Sequence, residues 1–326
     1  MQPKKNRRTL WQMILLGGVV IGMVALALLF VDISAVIHEL RQAKFIYLGA
    51  SSLFLLLGLA CFAARWRFLL QGKPGFRHTF HASNIGHAGN MIIPGRAGEP
   101  IRIVIMGQEG NISYTESVSS FMVERLFEQM MRLLALSTAV AVGSGIEMTP
   151  DTVVVGVLFL ALMFTTMFWL VKNREITLRW GTAVLSKLPR IIPERANNWL
   201  SDLLNNLQYI TSFRHTAQAI GWSLLSWVCF WLFFYLTLLA LGDRIAPQDR
   251  LAISLGALAL SPPSSATQPG LFHGSVTVPL AAVGFDEVIL LAYAILLHIV
   301  EMFWIILLAI WGLLRTGVSL SVIRDR

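Results

Sequence analysis

Apolar and polar positions divide the chain into long blocks. Six runs are long enough to cross a bilayer as helices: 10–31, 45–64, 118–142, 152–171, 217–241 and 286–314. A spanning helix needs about 20 mainly apolar residues. Two further stretches, 80–106 and 251–284, are apolar enough to enter the membrane but are interrupted. Pro94, Gly95, Gly98 and Pro100 break the first; Pro262, Pro263, Pro269, Gly270 and Gly274 break the second. Proline removes a helix hydrogen bond and clashes with the preceding turn, so neither stretch crosses as one straight helix. The pattern predicts an all-α integral membrane protein, a polytopic helical bundle of about six spanning helices plus two broken re-entrant segments.

Basic residues supply the orientation. With the N-terminus inside, eighteen Lys and Arg residues fall in cytoplasmic gaps and tails, Arg65 among them, and four (Arg41, Lys44, Arg244, Arg250) fall in outer loops. Short cytoplasmic loops collect Lys and Arg, so both termini are expected in the cytoplasm. The count holds only if each broken segment enters and leaves on one side, the first from the cytoplasm and the second from outside. Hairpins entering from opposite faces are the mark of an inverted-repeat transporter, with substrate held near the midplane. The alternative for the second segment is a pair of short helices on the outer surface. No tandem sequence repeat is evident.

Residues 175–215 form the one long polar excursion, with Trp180, Leu185, Trp199, Leu203 and Leu207 set among Lys, Arg and Asn. Basic and aromatic residues interleaved at helical spacing suit an anionic lipid surface, and suit a soluble partner almost as well. They read as amphipathic helices on the inner leaflet, divided at Pro189 and Pro193. The expected organisation is a single membrane domain over 1–326, with 175–215 a cytoplasmic excursion within it.

Composition agrees with lipid as the main solvent: 56% of the 326 residues are hydrophobic, 13% are charged, and mean hydropathy is +0.66. Soluble chains carry about 25% charged residues. The net charge of +8 lies in the gaps between apolar runs, so topology explains it and nucleic acid is not an expected partner. Cys61 and Cys229 lie within apolar runs and imply no disulfide framework. The 10–31 run follows Lys4, Lys5, Arg7 and Arg8, as a secretory signal does, and Ala25-Leu26-Ala27 would serve as a cleavage site. A signal core spans about 7–15 residues, and this longer run is expected to stay as a span.

Charges inside apolar surroundings mark the candidate site. Asn90 to Arg102 places Arg96, Glu99 and Arg102 beside Pro94, Gly95 and Gly98. A charge deep in the bilayer costs about 2.5–3.5 kcal/mol even on a mild scale, so such groups pair or line a wet cavity. Glycines let backbone amides approach an anion, and an interrupted helix offers it a dipole end. One reading is a binding place for a phosphate or other anionic headgroup, with Arg96 as main cation and Arg102 in support; the other is a turn in which Arg96 and Glu99 neutralise each other. On the 118–142 helix, Glu124, Glu128 and Arg132 share a face and Arg125 lies off it. These charges either join the site or form an ion-pair ladder that fixes packing. His298 and Glu301 share a face of the last helix, as a candidate proton-coupling pair or as interhelical glue. His273 is a weak candidate for the outer side of the same cavity. His78, His81 and His87 lack accompanying carboxylates or cysteines at ligand spacing, so no metal is expected. No GxxxxGK[ST], HExxH, CxxC or GxSxG motif occurs, so no cofactor is implied.

Pro94-Gly95-Arg96-Ala97-Gly98-Glu99 with Arg102, then Val123-Glu124-Arg125-Leu126, then Pro269-Gly270 before a final long helix, resembles the flippase-like membrane domain family, the transmembrane region of lysylphosphatidylglycerol synthases. The resemblance runs from about residue 10 to 315. It departs at Glu128, where the family pattern has aspartate, and after Gly270, where a PGGxG motif and a nearby acid are replaced by Leu271-Phe272-His273-Gly274-Ser275. It implies a stand-alone member without the aminoacyl-transferase domain, which handles lipid without aminoacylating it.

The expectation is a non-enzymatic, flippase-like transporter of an amphiphilic lipid with an anionic headgroup in a bacterial or archaeal plasma membrane. Glu99, Arg102, Glu124, Arg125, Glu128 and Arg96 would bind substrate. The alternative is a non-transporting accessory subunit of a glycosyltransferase or lipid-modifying enzyme, docked through 175–215. A membrane-embedded transferase ranks below both, because no matched acid, base and nucleophile set is visible.

Overall fold

A computed structural model describes residues 33–92, 98–108, 112–143, 158, 161–162, 165–166, 168–187, 193–242, 245–261 and 270–316. Among the described residues all regular structure is helical: α1 (Ile33–Arg41), α2 (Phe45–Leu69), α3 (Phe76–Ile92), α4 (Gly98–Gln108), α5 (Tyr114–Val142), α6 (Arg174–Leu185), α7 (Pro193–Thr211), α8 (Phe213–Ala240), α9 (Pro247–Leu260), α10 (Leu271–Ala282) and α11 (Glu287–Thr316). The expected 10–31 span and most of 152–171 lie outside the described residues.

Local sequence explains the helix ends. The α2 helix stops where Gln71 (φ 58°) and Gly72 (φ 72°) turn the chain through the left-handed region. At α5, Ser113 Oγ accepts from the Glu116 amide at 3.0 Å and the Glu116 carboxylate accepts from the Ser113 amide at 3.1 Å, a reciprocal cap. Pro247 opens α9 at a position where no amide hydrogen is needed. Helices α2, α8 and α11 are long and apolar enough to cross a membrane. The 29-residue α5 reaches about 43 Å at 1.5 Å per residue. On α11, Ile299, Phe303, Ile310 and Leu314 face outward, as expected where lipid replaces water.

Both interrupted stretches are pairs of helices. Hairpin α3–α4 closes very tightly: a Cβ added to Gly98 would lie 1.8 Å from the Gly86 carbonyl oxygen, and one on Gly89 would lie 2.9 Å from the Gly98 Cα. Helix α9 packs against α5 and α8 and buries Ala252, Ile253, Gly256 and Ala257, so this half of the second pair sits within the bundle and not on its surface.

The two halves repeat each other in inverted orientation. The α2 and α8 helices run antiparallel: the Lys44 amide donates to the Ala240 carbonyl at 2.9 Å, and at the opposite ends the Phe68 and His215 rings lie 6.0 Å apart. Where they cross, Ser226 Oγ donates to the Gly58 carbonyl at 3.4 Å. These two residues hold the same position counted from the starts of their helices. The packing of α3 on α11 recurs as that of α9 on α5, and α1 meets α11 as α7 meets α5. The correspondence extends to residues. A Cβ added to Gly312 would lie 3.3 Å from Ile85, and one added to Gly256, the counterpart of Ile85, would lie 3.9 Å from Ala139, the counterpart of Gly312. Helices α1–α5 are thus matched by α7–α11.

The polar excursion is not detached from the bundle. Helix α7 buries Ala196, Leu200, Leu204 and Leu207 and is joined to the start of α5 by a Thr115–Asp202 hydrogen bond. Arg174 ties α6 to α7 through Asn205 at 2.7 Å and Ser201 at 2.8 Å. Trp180 on α6 remains 70% exposed.

Candidate functional site

Five of the charged residues singled out in the sequence meet where α4 packs on α5. Gly86 and Gly98 allow α4 to approach α3 at backbone distance, which carries Glu99 and Arg102, one turn apart, into the bundle. Arg102 donates to Glu124 Oε1 at 2.6 Å and lies 3.4 Å from Glu99 Oε2. Arg125 reaches Glu99 Oε1 at 3.1 Å and Glu124 Oε1 at 3.4 Å, and also pairs with Glu128. Although Arg125 leaves the helix off the Glu124–Glu128 face, its long stem returns to bridge both carboxylates. The Glu124 side chain has no exposure and that of Arg102 has 3%, so the pair takes its energy from mutual charge and hydrogen bonding rather than solvation.

Aromatic faces complete the cage. The Arg102 guanidinium carbon is 4.6 Å from the Trp66 ring and 5.1 Å from the Phe121 ring, and that of Arg125 is 4.7 Å from the same Phe121 ring. Such contacts are strongest when desolvated. Trp66 Nε1 donates to Ser120 Oγ at 3.1 Å, which fixes the indole plane against α5.

Charge counting places Arg65 in the gap that follows the 45–64 run, whereas the structure carries the helix through it. The α2 helix runs to Leu69, so Arg65 lies inside it, 1% exposed. Its guanidinium is 4.9 Å from the Phe62 ring, and its three nitrogens have no hydrogen-bond partner among the described residues. Glu124 and Glu128 are within electrostatic range. Three arginines (Arg65, Arg102, Arg125) thus face three glutamates (Glu99, Glu124, Glu128). Arg96, the expected main cation, lies outside the described residues.

Arg132 leaves the cluster, although it shares a helix face with Glu128. It donates to the carbonyls of Ala259, at 2.6 Å, and Ser261. Those carbonyls end α9, where a cation complements the helix dipole. Arg132 therefore links α5 to the second hairpin, a contact without a sequence signal.

A cavity of about 90 Å³ lies between the halves. Its walls include Phe62 and Phe230, His87 and Leu258, and Glu128 and Glu301. Each pair occupies equal positions in matching helices, so the cavity sits on the pseudo-two-fold axis. His298 and Glu301 diverge: Glu301 lines the cavity, whereas His298 Nδ1 is 3.3 Å from His273 Nε2. The Gly270 amide donates to His273 Nδ1 at 3.3 Å, which leaves Nε2 of a neutral His273 as the donor to His298. His298 corresponds by position to Arg125 and Glu301 to Glu128, so the two halves place a nitrogen-bearing side chain and a carboxylate at equivalent points.

Comparison with known proteins agrees with a membrane protein. The lysylphosphatidylglycerol synthase TM region matches residues 14–310. The chain is also 25% identical to glycosyltransferase AglD of Haloferax volcanii over 380 aligned positions, which cover all of this chain and 58% of that protein. No solved structure matches the chain. A match over nearly the whole length, together with helices long and apolar enough to cross a membrane, leads to one assignment: this integral membrane protein belongs to the lysylphosphatidylglycerol synthase TM region family.

Proposed function

We propose that the chain is a flippase-like transporter that moves an amphiphilic lipid with an anionic headgroup between leaflets of a plasma membrane. The observation that carries this reading is the buried Glu99–Arg102–Glu124–Arg125–Glu128 cluster beside a cavity at the centre of two inverted halves. Inverted repeats support alternating access, because exchanging the conformations of equivalent halves turns one site from one side to the other. The headgroup enters at the first hairpin, where Arg96 and Arg102 receive it and the glutamates hold the arginines in place. It passes through the central cavity once the halves part. Glu301 and the His298–His273 pair act at the matching point of the second half, where proton transfer would couple movement to a gradient.

A second reading has its own support. The matched glycosyltransferase is longer than this chain, which spans 58% of it, and the exposed Trp180 face of α6 offers a surface for a partner enzyme. On that reading the chain is an accessory subunit of a glycosyltransferase or lipid-modifying enzyme.

Reconstitution into liposomes with a labelled anionic lipid separates the two. Translocation by the wild type, lost in Arg96→Ala, is expected from a transporter. Wild-type proteoliposomes no faster than empty ones end the transport reading, and equal rates for wild type and Arg96→Ala remove Arg96 from it.

A further inference from the structure

We infer that Arg65 is the anion receptor of the buried cluster, its guanidinium taking the oxygens of a phosphate or carboxylate group that arrives from the central cavity past the Phe62 ring. This deepens the transport reading by naming the group that holds the headgroup, and rests on it only for the source of the anion.

A guanidinium carries five N–H donors in a planar fork, and those of Arg65 are buried with no acceptor among the described residues. Its neighbours are differently placed: Arg102 and Arg125 are hydrogen-bonded to Glu124, Glu99 and Glu128. Burying a charged donor without an acceptor is among the costliest arrangements in a protein. A simple counter-charge to Glu124 would be hydrogen-bonded to it. Glu124 Oε2 also lacks a hydrogen-bond partner among the described residues, so the two groups are near in charge but not joined.

The surroundings suit an anion. Phe62 touches both Arg65 and the cavity: its ring is 4.9 Å from the Arg65 guanidinium carbon and forms part of the cavity wall. The π face supports the cation. The matching position in the second half is Phe233, so the receptor exists on one side of the pseudo-axis only. A planar fork suits bidentate recognition of phosphate or carboxylate in a way a lysine ammonium does not.

The test measures binding of a short-chain phosphatidic acid to the purified full chain in detergent by native mass spectrometry, with inorganic phosphate as competitor. Arg65→Gln is expected to weaken binding by about ten- to a hundredfold, the range of a hydrogen-bonded charge, and Arg65→Lys to recover part of it. The double variant Arg65→Gln/Glu128→Gln keeps the proposal testable if the single variant folds poorly, since it removes one charge of each sign. Binding by the double variant weaker than that of Glu128→Gln alone supports a receptor. Wild-type affinity in either glutamine variant overturns the inference. Competition by inorganic phosphate with Arg65-dependent binding identifies the phosphoryl group as sufficient; Arg65-dependent lipid binding without competition assigns the site to the lipid ester. Arg65-dependent binding without translocation in liposomes overturns the transport reading and leaves this inference standing.

Discussion

Replacing Arg102 by glutamine removes the cation at the centre of the cluster. Arg102 is 2.6 Å from Glu124, and the two side chains are 3% and 0% exposed. Breaking a buried pair by deleting one partner costs about 3–5 kcal/mol, because a buried charge is left uncompensated. Arg125 at 3.4 Å still faces the same Glu124 oxygen, which sets the expectation near 3 kcal/mol, with roughly 1 kcal/mol more for the lost Trp66 stacking. Glu124→Gln alone leaves Arg102 with Glu99 at 3.4 Å and is expected to cost about 2–3 kcal/mol. The double variant leaves two neutral amides facing each other. It is therefore expected to be less destabilised than the sum of the singles by about 2 kcal/mol, within the range of directly coupled sites. Reversible unfolding of all four proteins in mixed micelles supplies the cycle. Additivity within about 0.5 kcal/mol, the behaviour of independent sites, would refute the reasoning that the pair is buried and joined.

Gly98→Ala is expected to disrupt the first hairpin, since its Cβ would lie 1.8 Å from the Gly86 oxygen. Gly49→Ala, with nothing within 4 Å, is expected to stabilise α2 by up to about 1 kcal/mol; thermal unfolding in detergent compares them. Ser120→Ala strips the buried Trp66 indole of its acceptor and is expected to cost about 1–3 kcal/mol, read in the same assay.

Much of this architecture is legible in the residue order because hydrocarbon imposes a length on helices and proline imposes breaks. The α2, α8 and α11 spans and the division of 80–106 and 251–284 follow from those two constraints. The cluster residues are legible because charges between apolar flanks must find partners. Arg65 is not, since a basic residue at the end of an apolar run looks the same whether the helix stops before it or, as here, continues beyond it to Leu69. Arg132 bonds a carbonyl of α9, far along the chain, and a carbonyl leaves no mark in side-chain identity. The repeat is hidden for a related reason. Matching points hold Arg125 and His298, or His87 and Leu258, so geometry persists where residue type does not.

Inverted halves place their first turns on opposite faces of the membrane, and this is open to direct measurement. In a background with Cys61→Ser and Cys229→Ser, one cysteine at a time is introduced by Lys73→Cys, at an exposed position after α2, or by Gln248→Cys, at an exposed position at the start of α9. Intact cells are then treated with a membrane-impermeant maleimide. If the halves are inverted across the bilayer, the Gln248→Cys protein labels from outside and the Lys73→Cys protein labels only after lysis. Labelling of both from the same side would contradict the inversion, and with it a cavity shared between two opposed entrances.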